Sequence, residues 1–452
     1  MPNPAGRDTL RTPGTGHSPG RQRRPRRGLA GAAVALVAAG TLAACGGGSS
    51  GGVPTLTWYV NPDSGGQAKI AASCSAASNG AYKLEISVLP RNSDDQRQQL
   101  VRRLAAGDTS IDLMSLDVVF APELAQAGFL APVPADVESE VSEGVVPGAL
   151  ESAKWDGKLV AVPFWANTQL LWYRKSVAEA AGLDMTKPVT WDQIVKAAQD
   201  QHKLVSAQGR RAESLMVWFN ALIESAGGHV IAKNSTDPDK IKLGFDTAAG
   251  KRAAEVMHEV ATSGVVGPAF STSSEDTSAS QFESKDAGFM VNWPYVWAQA
   301  QTKVAAGVLK QSVPDDYGWA LYPRVDANTP SAPPLGGINL AVSKFSRYAA
   351  QAYKATVCIT SDKNQADYMV TNGNPASSAA VYDDPKVKKD YPMADTIRES
   401  LQASAPRPLS PYYSEITGGL QREYHPPAGV NASTGTKADD LISAVLRGDQ
   451  LL

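Results

Sequence analysis

No apolar stretch beyond residue 45 is long enough to cross a bilayer, which excludes a polytopic membrane protein. Cysteine is scarce: three in 452 residues are too few for a disulfide scaffold. Net charge is nearly absent, with 43 Lys and Arg against 45 Asp and Glu. A protein that coats nucleic acid needs a basic surface, so that class is disfavoured. Catalytic signatures are missing too. There is no Gly-x-x-x-x-Gly-Lys-Ser/Thr loop to cradle a phosphate, and no Gly-x-Ser-x-Gly nucleophile elbow. Beyond residue 44 the histidines are His202, His229, His258 and His425, and none has metal-ligand spacing. No motif partners a histidine with a Ser or Cys nucleophile. No cofactor or metal is therefore expected. A carboxylate pair for glycoside hydrolysis is set in space rather than in sequence, so a glycoside hydrolase stays open as an alternative.

What is present is large and aromatic. The length exceeds one comfortable core, so two domains are expected. Nine Trp and 14 Tyr exclude a disordered polar chain. The first 44 residues are a separate object. Basic residues from Arg21 to Arg27 precede an apolar run of 13 residues, Gly28 to Gly40, the length of a signal-peptide core. Leu42-Ala43-Ala44-Cys45 follows and is similar to a bacterial lipobox, with Gly/Ser residues up to Gly52 as a flexible tether. That resemblance implies cleavage before Cys45 and a diacylglycerol on its sulfur. The alternative is an ordinary secretory cleavage. Arg26-Arg27 leaves Sec and twin-arginine export both open. Without residues 1–44 the body carries 36 Lys and Arg against 44 Asp and Glu, a formal charge of −8. The expectation is an acidic, exported protein, lipid-anchored to the outer face of the cytoplasmic membrane. Cys74 and Cys358, each on a predicted helix, are either bridged in that oxidising compartment or are two buried thiols.

Along the body, strand and helix patterns alternate. Strands are expected at 55–60, 82–89 and 111–117, with helices at 66–78 and 94–106. This order argues for an α/β fold with a mostly parallel sheet. Ligands in such sheets sit beyond the carboxyl ends of strands, here Asn61, Asp63 and Asp117. Thr190 and Gln193 have capping-box spacing. Helices are expected at 213–226, 248–263 and 275–284, and a strand at 287–292. Two short strands are expected in the Pro-rich segment 313–334, and one more at 336–342. Trp, Asn, Asp and Arg gather near strand ends. Sugars want that mixture: carboxylates, carboxamides and guanidinium meet hydroxyls, and indole meets the C–H face of a pyranose.

Four segments carry a family resemblance: Trp155–Pro163 with Leu171-Trp172-Tyr173-Arg174; Phe282–Met290 into Asn292-Trp293-Pro294-Tyr295; Gly336–Val342; and Gly373-Asn374-Pro375-Ala376. They resemble, in order, the hinge crossings and the Gly-x-x-Pro-Ala turn of ABC-importer sugar-binding proteins of the maltose-binding type. Ser115–Val119, Asn167–Arg174, Val217–Asn220, Val291–Pro294 and Arg407-Pro408 are most similar to the trehalose-binding lipoproteins of actinobacteria. Cys74 and Cys358 also match cysteine positions there.

The resemblance implies a two-lobed periplasmic-binding-protein-like fold with three hinge crossovers and a ligand cleft. Lobe one would be 53–165 plus 288–337, and lobe two 169–286 plus 341–452. It implies a disaccharide, trehalose favoured, passed to permease subunits with a cytoplasmic ATPase, and no enzymatic step. Carried over by position, Asp117 would accept from sugar hydroxyls, Asn167 would bond from the floor, Trp293 would stack and Arg407 would close from the second lobe. Glu275 and Gly337 join this set, and Asn61 and Asp63 lie in the first ligand loop. That loop departs from the relatives' pattern, and so does Ser274-Glu275-Asp276. Each residue also has a structural reading: Asp117 as a helix cap, Asn167 as a hinge backbone partner, Trp293 as core, Arg407 as a surface ion pair. Trp165 and Trp218 read as core, and Glu213 and Gln67 rank below the others. A maltodextrin is the other sugar expected to fit.

Overall fold

The structure is a computed structural model that describes residues 52–452. Residues 1–44, Cys45 and the tether up to Gly51 lie outside the described residues.

The elements that build the cleft are, in order, β1 (Thr55–Val60), α1 (Gly66–Ala77), β2 (Lys83–Val88), α2 (Ser93–Ala105), β3 (Leu113–Asp117), β4 (Val162–Thr168) and β5 (Leu170–Arg174). Then come β6 (Leu204–Ser206), α3 (Glu213–Ser225), α4 (Glu275–Phe282), β7 (Ala287–Asn292), β8 (Tyr317–Ala320) and β9 (Pro334–Val342). The last are α5 (Ala349–Ile359), α6 (Asp362–Asn372), β10 (Ala405–Pro406) and α7 (Tyr413–Glu423). The predicted elements fall within one or two residues of these. The Thr190 capping box is present, with the hydroxyl accepting from Gln193 N and the Gln193 side chain accepting from Thr190 N.

Two sheets carry the two lobes. The first runs β10-β9-β3-β1-β2, with β4 also paired to β9. The second runs β8-β5-β7-β6. Both are mixed rather than mostly parallel. β1 is parallel to β2 and β3, but β9 is antiparallel to β3 and β4. β5 is antiparallel to both β7 and β8. Chain reversal at the lobe boundary explains this, since β4 runs straight into β5 and β9 returns between the sheets.

The pairing corrects the expected lobe boundaries. β7 and β8 belong to the second sheet, although 288–337 was assigned to lobe one. All six β7 residues are buried, which requires neighbours on both edges, and β5 and β6 supply them. The Phe282–Tyr295 segment is therefore not a crossing. The returning strand is β9. Conversely α5 and α6 pack on the first sheet: Tyr353, Ile359 and Tyr368 share a core with Trp58, Ile70 and Phe164. A disulfide joins Cys74 on α1 to Cys358 on α5, within that lobe. The segment 313–334 holds one strand instead of two, because Pro314, Pro323, Pro330 and Pro333 deny the donors a ladder needs. The second core gathers Trp191, Trp218, Phe219, Phe289 and Tyr413, and Val118–Phe120 from the end of β3 also insert into it. Among the described residues, no helix is long and apolar enough to cross a membrane.

Candidate functional site

A cleft of about 690 Å³ opens at the carboxyl end of β3 and runs between the sheets. It collects Asn61, Asp117, Asn167, Glu275, Trp293, Gly337 and Arg407, from seven separate stretches of chain. Asp63 is the exception among the expected residues. Its carboxylate turns back to accept from Gly65 N at 2.9 Å and Gln67 N at 2.7 Å, so it caps α1 instead of lining the cleft.

Strand register explains the floor. On β9, Ile338 lies opposite Asp117 on one side, and Gly336 lies opposite Asn167 on the other. Gly337 has φ +130°, and a Cβ there would stand 2.2 Å from the Trp165 carbonyl oxygen, so only glycine fits. Gly336 makes room for an aromatic face: a Cβ on it would lie 3.0 Å from Cη2 of Trp293. Trp293 is steered there by Asn292. The Asn292 Oδ1 accepts from Trp293 N at 2.8 Å, and its Nδ2 donates to the Glu275 carbonyl at 2.9 Å. One buried carboxamide thus positions both the indole and the start of α4. Asn167 serves its own hinge, with Oδ1 accepting from Thr168 N at 3.0 Å. Trp165 lines the cleft yet is 8% exposed and packs on Phe164 and Tyr368. Trp218 is wholly core.

Charge is concentrated around Arg407. Pro406 and Pro408 flank it, and the Pro406 carbonyl accepts from Asn220 Nδ2 of α3 at 3.3 Å. Arg407 is 2% exposed as a residue. Its Nη2 donates to Asp117 Oδ1 at 2.6 Å, and Nη1 donates to Glu213 Oε1. The Tyr413 hydroxyl donates to the same Glu213 oxygen, and the Thr417 hydroxyl donates to Oε2 at 3.2 Å. Burial opposes the charge on Arg407, but Asp117, Tyr413 and Glu213 overcome it and hold its pKa well above the usual value. Burial pushes Glu213 up to about 7 despite the opposing pull of Arg407, with Asp117 adding to the rise. Burial also raises Glu275, helped by Asp276 and opposed by Arg210 and Arg407. Asp117 has its structural role as well, accepting weakly from Val119 N at 3.4 Å.

Two buried polar atoms of the cleft residues have no partner: Asn61 Oδ1 and Arg407 Nε. Asn61 is otherwise fixed, donating through Nδ2 to Gln96 Oε1 at 2.7 Å and accepting from Gln67 Nε2 at its carbonyl. A buried donor or acceptor without a partner costs free energy until water or a polar ligand meets it.

Sequence reasoning passed over Arg91, Gln96, Arg210, Asp276 and Tyr295 as cleft-lining residues, and ranked Glu213 below the others; Glu213 also lines the cleft, at the start of the mostly apolar run Leu215–Ile223. Arg91 and Asp276 meet at 3.1 Å on the cleft rim, and Tyr295 OH donates to the same carboxylate at 3.1 Å. Nothing local in sequence marks contacts so far apart along the chain. Among the described residues, no cluster of His, Cys, Asp and Glu fits a metal ion.

Comparison with known proteins agrees with this architecture. A probable ABC transporter-binding protein of Deinococcus radiodurans is 24% identical over 336 residues, which covers 71% of this chain and 75% of that protein. Maltose-bound MalE3 of T. maritima superposes with a TM-score of 0.74 at 26% identity, over 88% of this chain and 100% of that one. The GacH receptor of Streptomyces glaucescens, solved unliganded and with acarbose, reaches a TM-score of 0.72 at 18% identity, a likeness of fold alone, over 88% of this chain and 99% of that one. Residues 33–366 match the profile of the bacterial extracellular solute-binding proteins. With most of its length inside that profile, the chain belongs to the bacterial extracellular solute-binding protein family, whose members bind and do not catalyse.

Proposed function

We propose that this protein is the sugar-binding lipoprotein of an ABC importer, anchored through Cys45, and that its ligand is a disaccharide, trehalose first. The observation that carries this is the cleft composition: one indole face, Trp293, beside carboxylate, carboxamide and guanidinium groups on both sides. A pyranose ring has an apolar C–H face for the indole and equatorial hydroxyls for the polar groups. Asn61 Oδ1 and Arg407 Nε supply one free acceptor and one free donor. Two hexose rings fit the 690 Å³ cleft with room for water. That spare room favours a maltodextrin as the second reading, and maltose in the T. maritima relative supports it.

The working motion is closure of the two lobes on a sugar that touches both, after which the closed form docks on permease subunits. Lobe one would be 52–166 with 336–375, and lobe two 169–334 with 376–452, with β10 of lobe two pairing to the edge of the first sheet. Thermal shift and calorimetry against trehalose, maltose, maltotriose, glycerophosphodiesters and mannitol test the reading. Trehalose is expected to raise the melting temperature most and to bind at about micromolar Kd. Absence of any shift with every sugar refutes it, and a preference for maltotriose selects the second reading.

A further inference from the structure

We propose that Glu213 is the positioning residue of the cleft: it holds Arg407 in its ligand-facing pose, and proton uptake at Glu213 weakens sugar binding. This rests on the sugar-binding reading above. Three observations carry it. Glu213 opens α3, the most buried helix of the second core, so its carboxylate stands on a rigid support. Both its oxygens are engaged: Oε1 by Arg407 Nη1 and the Tyr413 hydroxyl, Oε2 by Thr417 at 3.2 Å. Arg407, in turn, is the only group that joins this cluster to Asp117 at the end of β3, at 2.6 Å. Removing the carboxylate charge therefore releases one of two restraints on a guanidinium that has a single unpaired atom, Nε, left for the ligand.

The charged and titratable groups that act most on Glu213 come from four elements. Arg407 comes from the loop after β10, Tyr413 and Thr417 from α7, Asp117 from β3 and Asp94 from α2. Two carboxylates and a phenol surround one guanidinium, so negative charge is in excess. Burial, with Asp117 and Asp94, favours the protonated form against the pull of Arg407 and Tyr413, and sets the midpoint at about 7. The direction for stability follows. The native state holds a proton that the unfolded chain releases, so this group's contribution falls as pH rises from the ordinary carboxylate range to about 7. For binding the direction is opposite, because only the carboxylate form holds Arg407 by charge.

The experiment uses the mature protein as wild type, Glu213→Gln and Tyr413→Phe. First, melting is followed from pH 5 to 8.5 without sugar. Wild type is expected to lose stability relative to Glu213→Gln as pH rises to about 7, and parallel curves overturn the proton-uptake claim whatever the ligand is. Second, calorimetry with trehalose and with maltose is run at pH 6 and 8. Wild type is expected to bind about tenfold more tightly at pH 8 than at pH 6. Glu213→Gln should bind about tenfold more weakly than wild type at pH 8 and show no pH dependence. Tyr413→Phe removes a donor that favours the charged form, so its affinity midpoint should move to higher pH. Equal affinity and equal pH profile in Glu213→Gln and wild type overturn the positioning role. If wild type binds neither sugar, the sugar reading fails, while the sugar-free melts still judge the proton claim.

Discussion

Asp117→Asn keeps the shape of the side chain at the end of β3 and removes its charge. The Asp117 carboxylate meets Arg407 at 2.6 Å, with the two side chains 19% and 3% exposed. At an effective dielectric of about 20, charges about 4 Å apart attract by about 4 kcal/mol. Desolvation offsets much of that, and Arg407 keeps Glu213, so the net loss of stability should be about 1–3 kcal/mol. A body of about 400 residues has an unfolding entropy near 0.8 kcal/mol/K, so the melting temperature should fall by about 1–4 °C. Binding should suffer more. A carboxylate that accepts from two sugar hydroxyls loses about 2–4 kcal/mol when it becomes a carboxamide, a roughly 30- to 700-fold drop in affinity. Calorimetry with the tightest sugar of the panel, beside a melt of the same sample, measures both. Affinity within threefold of wild type, with a near-native melt, would remove Asp117 from the sugar site. A melt lowered by more than about 10 °C would mean that the ion pair holds the fold and not the ligand.

Gly336→Val tests the indole platform without touching Trp293. The new side chain would begin 3.0 Å from the ring and must push it aside. Stacking is worth about 0.5–1.5 kcal/mol, so affinity should fall about 2- to 12-fold and the sugar-induced change in tryptophan emission should shrink; an unchanged emission titration would refute stacking on Trp293. Reduction of Cys74–Cys358 opens a link across a sequence separation of 284 residues. Chain entropy sets an upper bound of about 5.6 kcal/mol on its contribution, so melting should fall by no more than about 7 °C. Neither cysteine lines the cleft, so sugar affinity should not change, and a large affinity loss on reduction would show that the first lobe's core governs the site.

The parts of this molecule that could be read from sequence were those with local causes. Alternation at Leu84, Ile86 and Val88 marks β2, and the Thr190–Gln193 spacing marks a helix start that the structure repeats bond for bond. The cleft residues at strand ends, Asn61 and Asp117, followed from topology, since α/β sheets expose their carboxyl ends. Asp63 sits in the same loop but outside the cleft lining. Three residues before the helix interior, an Asp has two outlets, a ligand or the free N–H groups of α1, and the nearer outlet won. The lobe boundaries failed for a different reason. β7 and β9 are both apolar strands next to a Gly- or Pro-containing turn, and periodicity cannot tell which sheet a fully buried strand joins. Pairing partners far along the chain decide it. The same holds for the Arg91–Asp276 contact, whose members are separated by 185 positions.

The charges of the cleft set what kind of ligand can win. Arg91 and Asp276 join across the rim, but their side chains are 81% and 52% exposed, so salt screens the pair and it adds little to closure. Asp117 and Arg407 join deeper, through a single contact from Nη2 to Oδ1. A sugar that leaves that contact in place gains from the remaining lone pairs of the Asp117 carboxylate and from the atoms still unmet, Asn61 Oδ1 and Arg407 Nε. Leaving a buried polar group unpaired costs about 1–3 kcal/mol, so a ligand that pairs one of these atoms gains about 5- to 140-fold in affinity there. A ligand that reaches both atoms is therefore expected to bind more tightly than one that reaches a single atom. Selectivity in this cleft therefore rests more on which polar atoms a sugar reaches beside Trp293 than on the number of charges around it.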